Sequence, residues 1–383
     1  MSSNAGLEKK NKEGRQIFLD ELRIIACAAV VLMHTVSGVL NGGFDMTGYE
    51  RRICAFRAII DATAWCVPIF LIISGYLLLD PGRRVTLREA VFQFGRRIFL
   101  ALVLFGVPYS LIELVGRERA FRPGMLWQAV RNTAIMKSWA HMWYLYLILG
   151  LYLITPLLKL MLEKLPKALL VGCLVLLVSL CSLLPFAEQL LGFETGLCFL
   201  PREGIYLFYY IMGYMWAIRK KEGLRWEGPL CLGIFAVILI AELGSRFITG
   251  YEVDMAYAYP PTLLASLLLF DGCRALDFRR KEQPVRELPG QHSDPACGER
   301  GAGERELSKK GLINIIVNAS RLTFGIYLIH PVFLNFFYKY KGLSPMNFRF
   351  FIGVPLFFGI AFLGAAVVTY FLRRIPVLRK YVL

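Results

Sequence analysis

The stretch FLDELRIIACAAVVLMHTVSG, residues 18–38, is apolar enough to cross a bilayer yet carries Arg23 and His34. An ionisable side chain in hydrocarbon is costly, about 2.5–3.5 kcal/mol for a mid-membrane arginine on insertion scales. The two residues stand eleven positions apart. At about 100° per residue that is three helical turns plus about 20°, so both side chains share one face, about 16 Å apart along the axis. A cation near one mouth and a titratable imidazole deeper in the bundle suit a long ligand with an anionic head and a reactive far end. Taken singly, Arg23 would snorkel to headgroups and His34 would be a hydrogen-bonded packing residue. Their alignment is what favours a site.

The rest of the chain agrees with a membrane reading. Of its 383 residues, 56% are hydrophobic and only 19% charged, against about 25% charged in soluble domains. The apolar residues come in blocks. At about 20 residues per span, ten helices are expected, near 17–40, 58–79, 96–115, 141–161, 168–185, 204–218, 228–249, 257–273, 312–338 and 350–372. The fold class is therefore all-α, a polytopic integral membrane bundle of about ten transmembrane helices. It is flanked by tails at 1–16 and 374–383 and interrupted by a Gly/Pro-rich polar loop near 274–311.

The net charge of +16 has a membrane explanation, because Lys and Arg collect in cytoplasmic loops. Segments expected inside hold 29 of them and segments expected outside hold 13. Both termini are then cytoplasmic, in a multi-pass protein of a bacterial-type plasma (inner) membrane. The basic residues lie in short clusters between apolar blocks, with no nucleic-acid-binding signature. The charged start EKKNKEGR imitates a signal peptide. However, Asp20, Glu21, Arg23 and His34 in the following block point to a retained helix.

Most of the nine cysteines lie in apolar blocks, as small buried hydrophobes do. Cys54 and Cys198 fall in loops expected outside, where pairing is open. There is no metal-type CxxC, zinc motif, GxGxxG or Walker loop, and no internal repeat. The i+4 pairs Arg57/Asp61 and Glu242/Arg246 read as helix-supporting ion pairs.

Four stretches together resemble one family. FLDELRIIACAAVVLMHTVSG is similar to the opening helix of the membrane-bound acyltransferase 3 family, whose signature is Arg, ten residues, then His, after an Asp-x-x-Arg start. Asp20, Arg23 and His34 match it. VPIFLIISGYLLL (67–79) resembles the family's second-helix pattern through Pro68, Phe70, Ser74, Gly75 and Tyr76. HMWYLYLILGLYLITPLL (141–158) and SRLTFGIYLIHPVFL (320–334) resemble two further family segments. No segment resembles a fused extracytoplasmic domain, which suits the stand-alone O-acetyltransferase-like branch.

The resemblance implies ten helices around a pore, with acyl-coenzyme A, acetyl by default, supplied from the cytoplasm. The acceptor would be a hydroxyl of a surface polysaccharide or other cell-envelope carbohydrate, presented from outside. Arg23 would then meet coenzyme A phosphates, since guanidinium binds phosphate bidentately. His34 would act as general base, with a covalent acyl intermediate as the alternative chemistry. The family's Arg-x-Arg pair is here QFGRRIFL (93–100). Arg97 fills the second position, Gly95 replaces the first, and Arg96 is a candidate substitute. Arg321 is a further coenzyme A candidate. His141, Trp143, Tyr144 and His330 are candidate acceptor contacts, against anchoring-belt and helix-packing roles. The competing function is a transporter or exporter of a small molecule or glycan on the same scaffold. Scarce intramembrane carboxylates and the lack of paired repeats disfavour it.

Overall fold

A computed structural model describes residues 15–44, 46–196, 201–219, 226–249, 256–282 and 311–383. The regular elements of these segments are all helices. Seven helices are long and apolar enough to cross a membrane, or eight if a bent pair counts as one span. The two other expected spans form helices but miss that standard for identifiable reasons. Ile205–Ile218 has only 14 residues, and Pro260–Glu282 carries Asp271, Arg274 and Asp277 in its second half. That helix also takes in the start of the loop expected near 274–311; 283–310 lie outside the described residues.

Helix α1, Ile17–Leu40, is the opening quotation almost unchanged. Its first-turn Asp20 complements the helix dipole, and Gly43, with φ of +73°, lies in the turn that follows. Helices α2 (Glu50–Thr63) and α3 (Cys66–Leu78) together make one span, with a turn at Ala64 and Trp65. The expected 96–115 span is the middle of α4, a 32-residue helix over Leu87–Glu118. A capping box begins it: Thr86 Oγ1 accepts from the Glu89 amide at 3.2 Å, and the Glu89 carboxylate accepts from the Thr86 amide at 2.9 Å. Two π-helical stretches, Ala90–Gly95 and Leu102–Gly106, flank the turn that carries Arg96 and Arg97. A short helix, α5 (Gly124–Ala134), occupies the expected outer loop and packs on α4.

Helix α6 (Trp143–Lys164) follows a single 3-10 turn, and α7 spans Lys167–Leu191. Then come α8 (Ile205–Ile218), α9 (Glu227–Thr249) and α10 (Pro260–Glu282). The expected helix 312–338 is broken into α11 (Gly311–Ser320) and α12 (Thr323–Asn335), bent by 55° at Arg321–Leu322. Last are α13 (Phe350–Leu372) and α14 (Pro376–Tyr381). The expected C-terminal tail is therefore folded against the bundle, with Val382 and Leu383 buried.

The SGY segment has a packing role. A Cβ on Gly75 would come within 1.9 Å of the Tyr210 carbonyl oxygen, and one on Gly213 within 2.3 Å of the Tyr76 nitrogen. Helices α3 and α8 thus touch backbone to backbone, as small residues allow between membrane helices. Beside this contact α1, α3, α4, α6 and α12 line a cavity.

Candidate active site

The cavity measures about 600 Å³, and both Arg23 and His34 line it. One face of α1 supplies both, as the eleven-residue spacing requires. Asp20, only 1% exposed, fixes the arginine end. Its carboxylate accepts from Arg15 at 2.6 and 2.9 Å, from Arg23 at 3.1 Å and from the Ser320 hydroxyl at 2.7 Å. Its own bonds to Asp20 also raise the Arg15 guanidinium above its ordinary pKa.

Other segments add cations to the same end. Arg97 lines the cavity and donates to the carbonyls of Val382 (2.9 Å) and Leu383 (3.1 Å). Arg321 reaches the cavity from the break between α11 and α12, and Arg373 and Arg379 from beyond the last long helix. Burial, together with neighbouring Arg97, Arg321 and Arg379, holds the Arg373 guanidinium below its usual pKa. A guanidinium stays charged there, so this end concentrates positive charge that a polyanion would relieve. Arg96 is not part of it: the residue is exposed, does not line the cavity, and stacks on Tyr381 at 4.8 Å. One position along the helix turns a side chain by about 100°, enough to send it to the outside.

At the other end stands a histidine cluster. His34 Nδ1 lies 2.9 Å from His330 Nε2, and His330 Nδ1 lies 3.0 Å from the Ile326 carbonyl oxygen. A carbonyl only accepts, so His330 Nδ1 carries its hydrogen. In the neutral ring His330 Nε2 is then a lone pair, and it accepts from His34 Nδ1–H. The tautomers follow from this hydrogen-bond network. They leave the lone pair of His34 on Nε2, which has no protein partner among the described residues. Pro331 shapes the neighbourhood, since a proline cannot donate to the carbonyl four residues earlier.

His330, expected as an acceptor contact, is fully buried and does not itself line the cavity. Its α12 face turns to His34, and the two rings lie nearly parallel, their planes 17° apart and their centroids 5.0 Å apart. His141, Trp143 and Tyr144 do line the cavity. His141 is 4% exposed, its Nε2 has no partner among the described residues, and its ring centre is 6.4 Å from that of His34. Trp143 packs against Tyr206 and Tyr257 at 5.4 and 5.6 Å. Tyr327, also lining the cavity, donates to the His141 carbonyl.

Arg15, Arg373, Arg379 and Tyr257 escaped the sequence reading. For Arg373 and Arg379 the signal was RRIPVLRK, which positive-inside flanking explained too easily. Tyr257 gave no signal. Cys54 is a free thiol that donates to the Arg246 carbonyl, and Cys198 lies outside the described residues. In place of the expected Glu242/Arg246 pair, Arg246 donates across to Asp61 at 2.5 and 3.2 Å.

Residues 16–374 match the family described as an acyltransferase domain. No curated protein and no solved structure gives a match. The family match spans nearly the whole chain, including every segment that builds the cavity from Arg23 to Arg373. The chain belongs to the acyltransferase 3 family of membrane-bound acyltransferases.

Proposed function

We propose that the chain moves an acyl group, acetyl by default, from cytoplasmic acyl-coenzyme A to a hydroxyl of a cell-envelope glycan. The observation that carries this reading is one continuous cavity, with arginines at one end and His34 at the other. Both termini lie on the cytoplasmic side in this reading, following the Lys/Arg bias. The arginine end then faces the coenzyme A pool. Arg23, Arg97, Arg321 and Arg373 bind its phosphates through charge-assisted hydrogen bonds, and the pantetheine arm runs toward His34.

The proton path follows from the tautomers. His34 Nε2 removes the proton of the acceptor hydroxyl as that oxygen attacks the thioester carbonyl carbon. The tetrahedral intermediate collapses, the C–S bond breaks, and His34 returns the proton to the departing thiolate. His330 is a positioning residue: its Nε2 accepts from His34 Nδ1–H, which holds the ring and keeps the other nitrogen basic. The buried surroundings exclude water, which favours transfer over hydrolysis.

The test is purified protein in detergent, supplied with acetyl-coenzyme A. Binding is followed by calorimetry and thiol release by a chromogenic disulfide. Saturable binding with thiol release is the expected result. Absence of any binding by coenzyme A thioesters sinks the reading.

A further inference from the structure

A second, smaller hollow adjoins the histidine end. It measures about 80 Å³ and is bounded by Asp61, Glu242, Arg246 and Thr262, with Met33 and Tyr257. Met33 and Tyr257 also line the large cavity, so the two spaces meet at these side chains. The Tyr257 hydroxyl lies 3.8 Å from the Met33 sulfur, and Met33 directly precedes His34.

Glu242 is the anomaly of this hollow. It is 5% exposed, and neither carboxyl oxygen has a hydrogen-bond partner among the described residues. Buried polar groups are nearly always satisfied, and an exception calls for a reason. The i+4 spacing sets Arg246 on the same face of α9, but Arg246 reaches across to Asp61 on α2. That pairing neutralises the guanidinium and leaves Glu242 as the group offering free acceptor oxygens to the hollow.

We propose that the hollow is an acceptor subsite, in which Glu242 binds a hydroxyl next to the one that His34 deprotonates. This rests on the acyl-transfer reading and names its acceptor class: a neutral, polyhydroxylated ring. Two carboxyl oxygens suit a pair of neighbouring hydroxyls. The aromatic wall of Trp143, Tyr206 and Tyr257 offers a face for the apolar side of a sugar. The hollow has room for a few water-sized groups, which fits one edge of a ring while the rest lies along that wall. An anionic sugar is disfavoured, because the local guanidinium is already matched by Asp61 and the free group is itself acidic.

The probe is octyl β-D-glucoside, a neutral sugar on an apolar tail, added to protein held in a sugar-free detergent with acetyl-coenzyme A. Mass spectrometry reads the acetylated glucoside, and calorimetry reads acetyl-coenzyme A affinity. Glu242→Gln, near-isosteric, removes one acceptor oxygen, and Glu242→Leu removes both. The expected result is a half-saturating glucoside concentration raised about tenfold by Gln and further by Leu, with acetyl-coenzyme A affinity held. Retained affinity also reports that each variant is folded. Unchanged glucoside saturation in both variants overturns the subsite. So does wild type that cleaves acetyl-coenzyme A yet never acetylates the glucoside. If wild type does not bind acetyl-coenzyme A at all, it is the acyl-transfer reading that has failed.

Discussion

The two ends of the cavity are built on opposite plans. The arginine end draws cations from α1, α4, the break after α11 and the segment beyond α13, so its charge is distributed and redundant. The histidine end depends on two rings and one carbonyl in a single hydrogen-bonded line. Electrostatic capture sums over many charges and survives the loss of one, whereas a proton path fails when any member is removed. Mutation should therefore affect the two ends differently, in size and in kind.

The largest effect is expected at His34. His34→Ala should lower turnover by about 10²–10⁴, the range of a positioned general base, while acyl-coenzyme A affinity is retained. Single-turnover thiol release beside calorimetric binding separates the two. An equal loss of both would erase the distinction between the ends.

His330 comes next. His330→Ala should cut turnover by about 10- to 100-fold, the cost of a hydrogen bond to a group that becomes charged. A sharper readout is ¹⁵N-histidine NMR on wild-type protein, which should report His34 protonated on Nδ1 and unprotonated on Nε2. In His330→Ala that preference should be lost. A packing role alone would leave the tautomer unmoved.

At the arginine end single losses should be smaller and should appear in binding. Arg23→Ala and Arg321→Ala should each weaken acyl-coenzyme A about tenfold, with turnover of bound substrate unchanged. Raising salt should narrow the difference from wild type, since partly exposed charges are screened. Measured dissociation constants at low and high salt decide this. The smallest effect belongs to Arg96→Ala, where both affinity and turnover should match wild type. A loss comparable with Arg23→Ala would return Arg96 to the site.

The same contrast governs what could be read beforehand. The pair Arg23 and His34 was legible because both sit on one helix, and helical periodicity alone sets their relation. His330 drew attention, but as an acceptor contact. Its partnership with His34 joins residues 296 positions apart, a relation no local pattern encodes. Asp61 and Arg246 teach the same lesson. Arg246 had a plausible i+4 partner in Glu242 on its own helix, yet it pairs with Asp61 because α2 and α9 pack together. Glu242 lost its expected partner in consequence.

The sequence by itself determined the helical membrane bundle, the family and the axis from Arg23 to His34, because hydropathy and helical pitch are properties of short stretches. Tertiary structure decided the rest. It broke the 312–338 segment at Arg321, folded the last residues back to bring Arg373 and Arg379 to the cavity, and turned Arg96 outward. It also set His330 against His34 and left Glu242 without its i+4 partner. The physical reason is that each of these outcomes depends on which helices pack together, and so on groups far apart in the chain competing for the same partners.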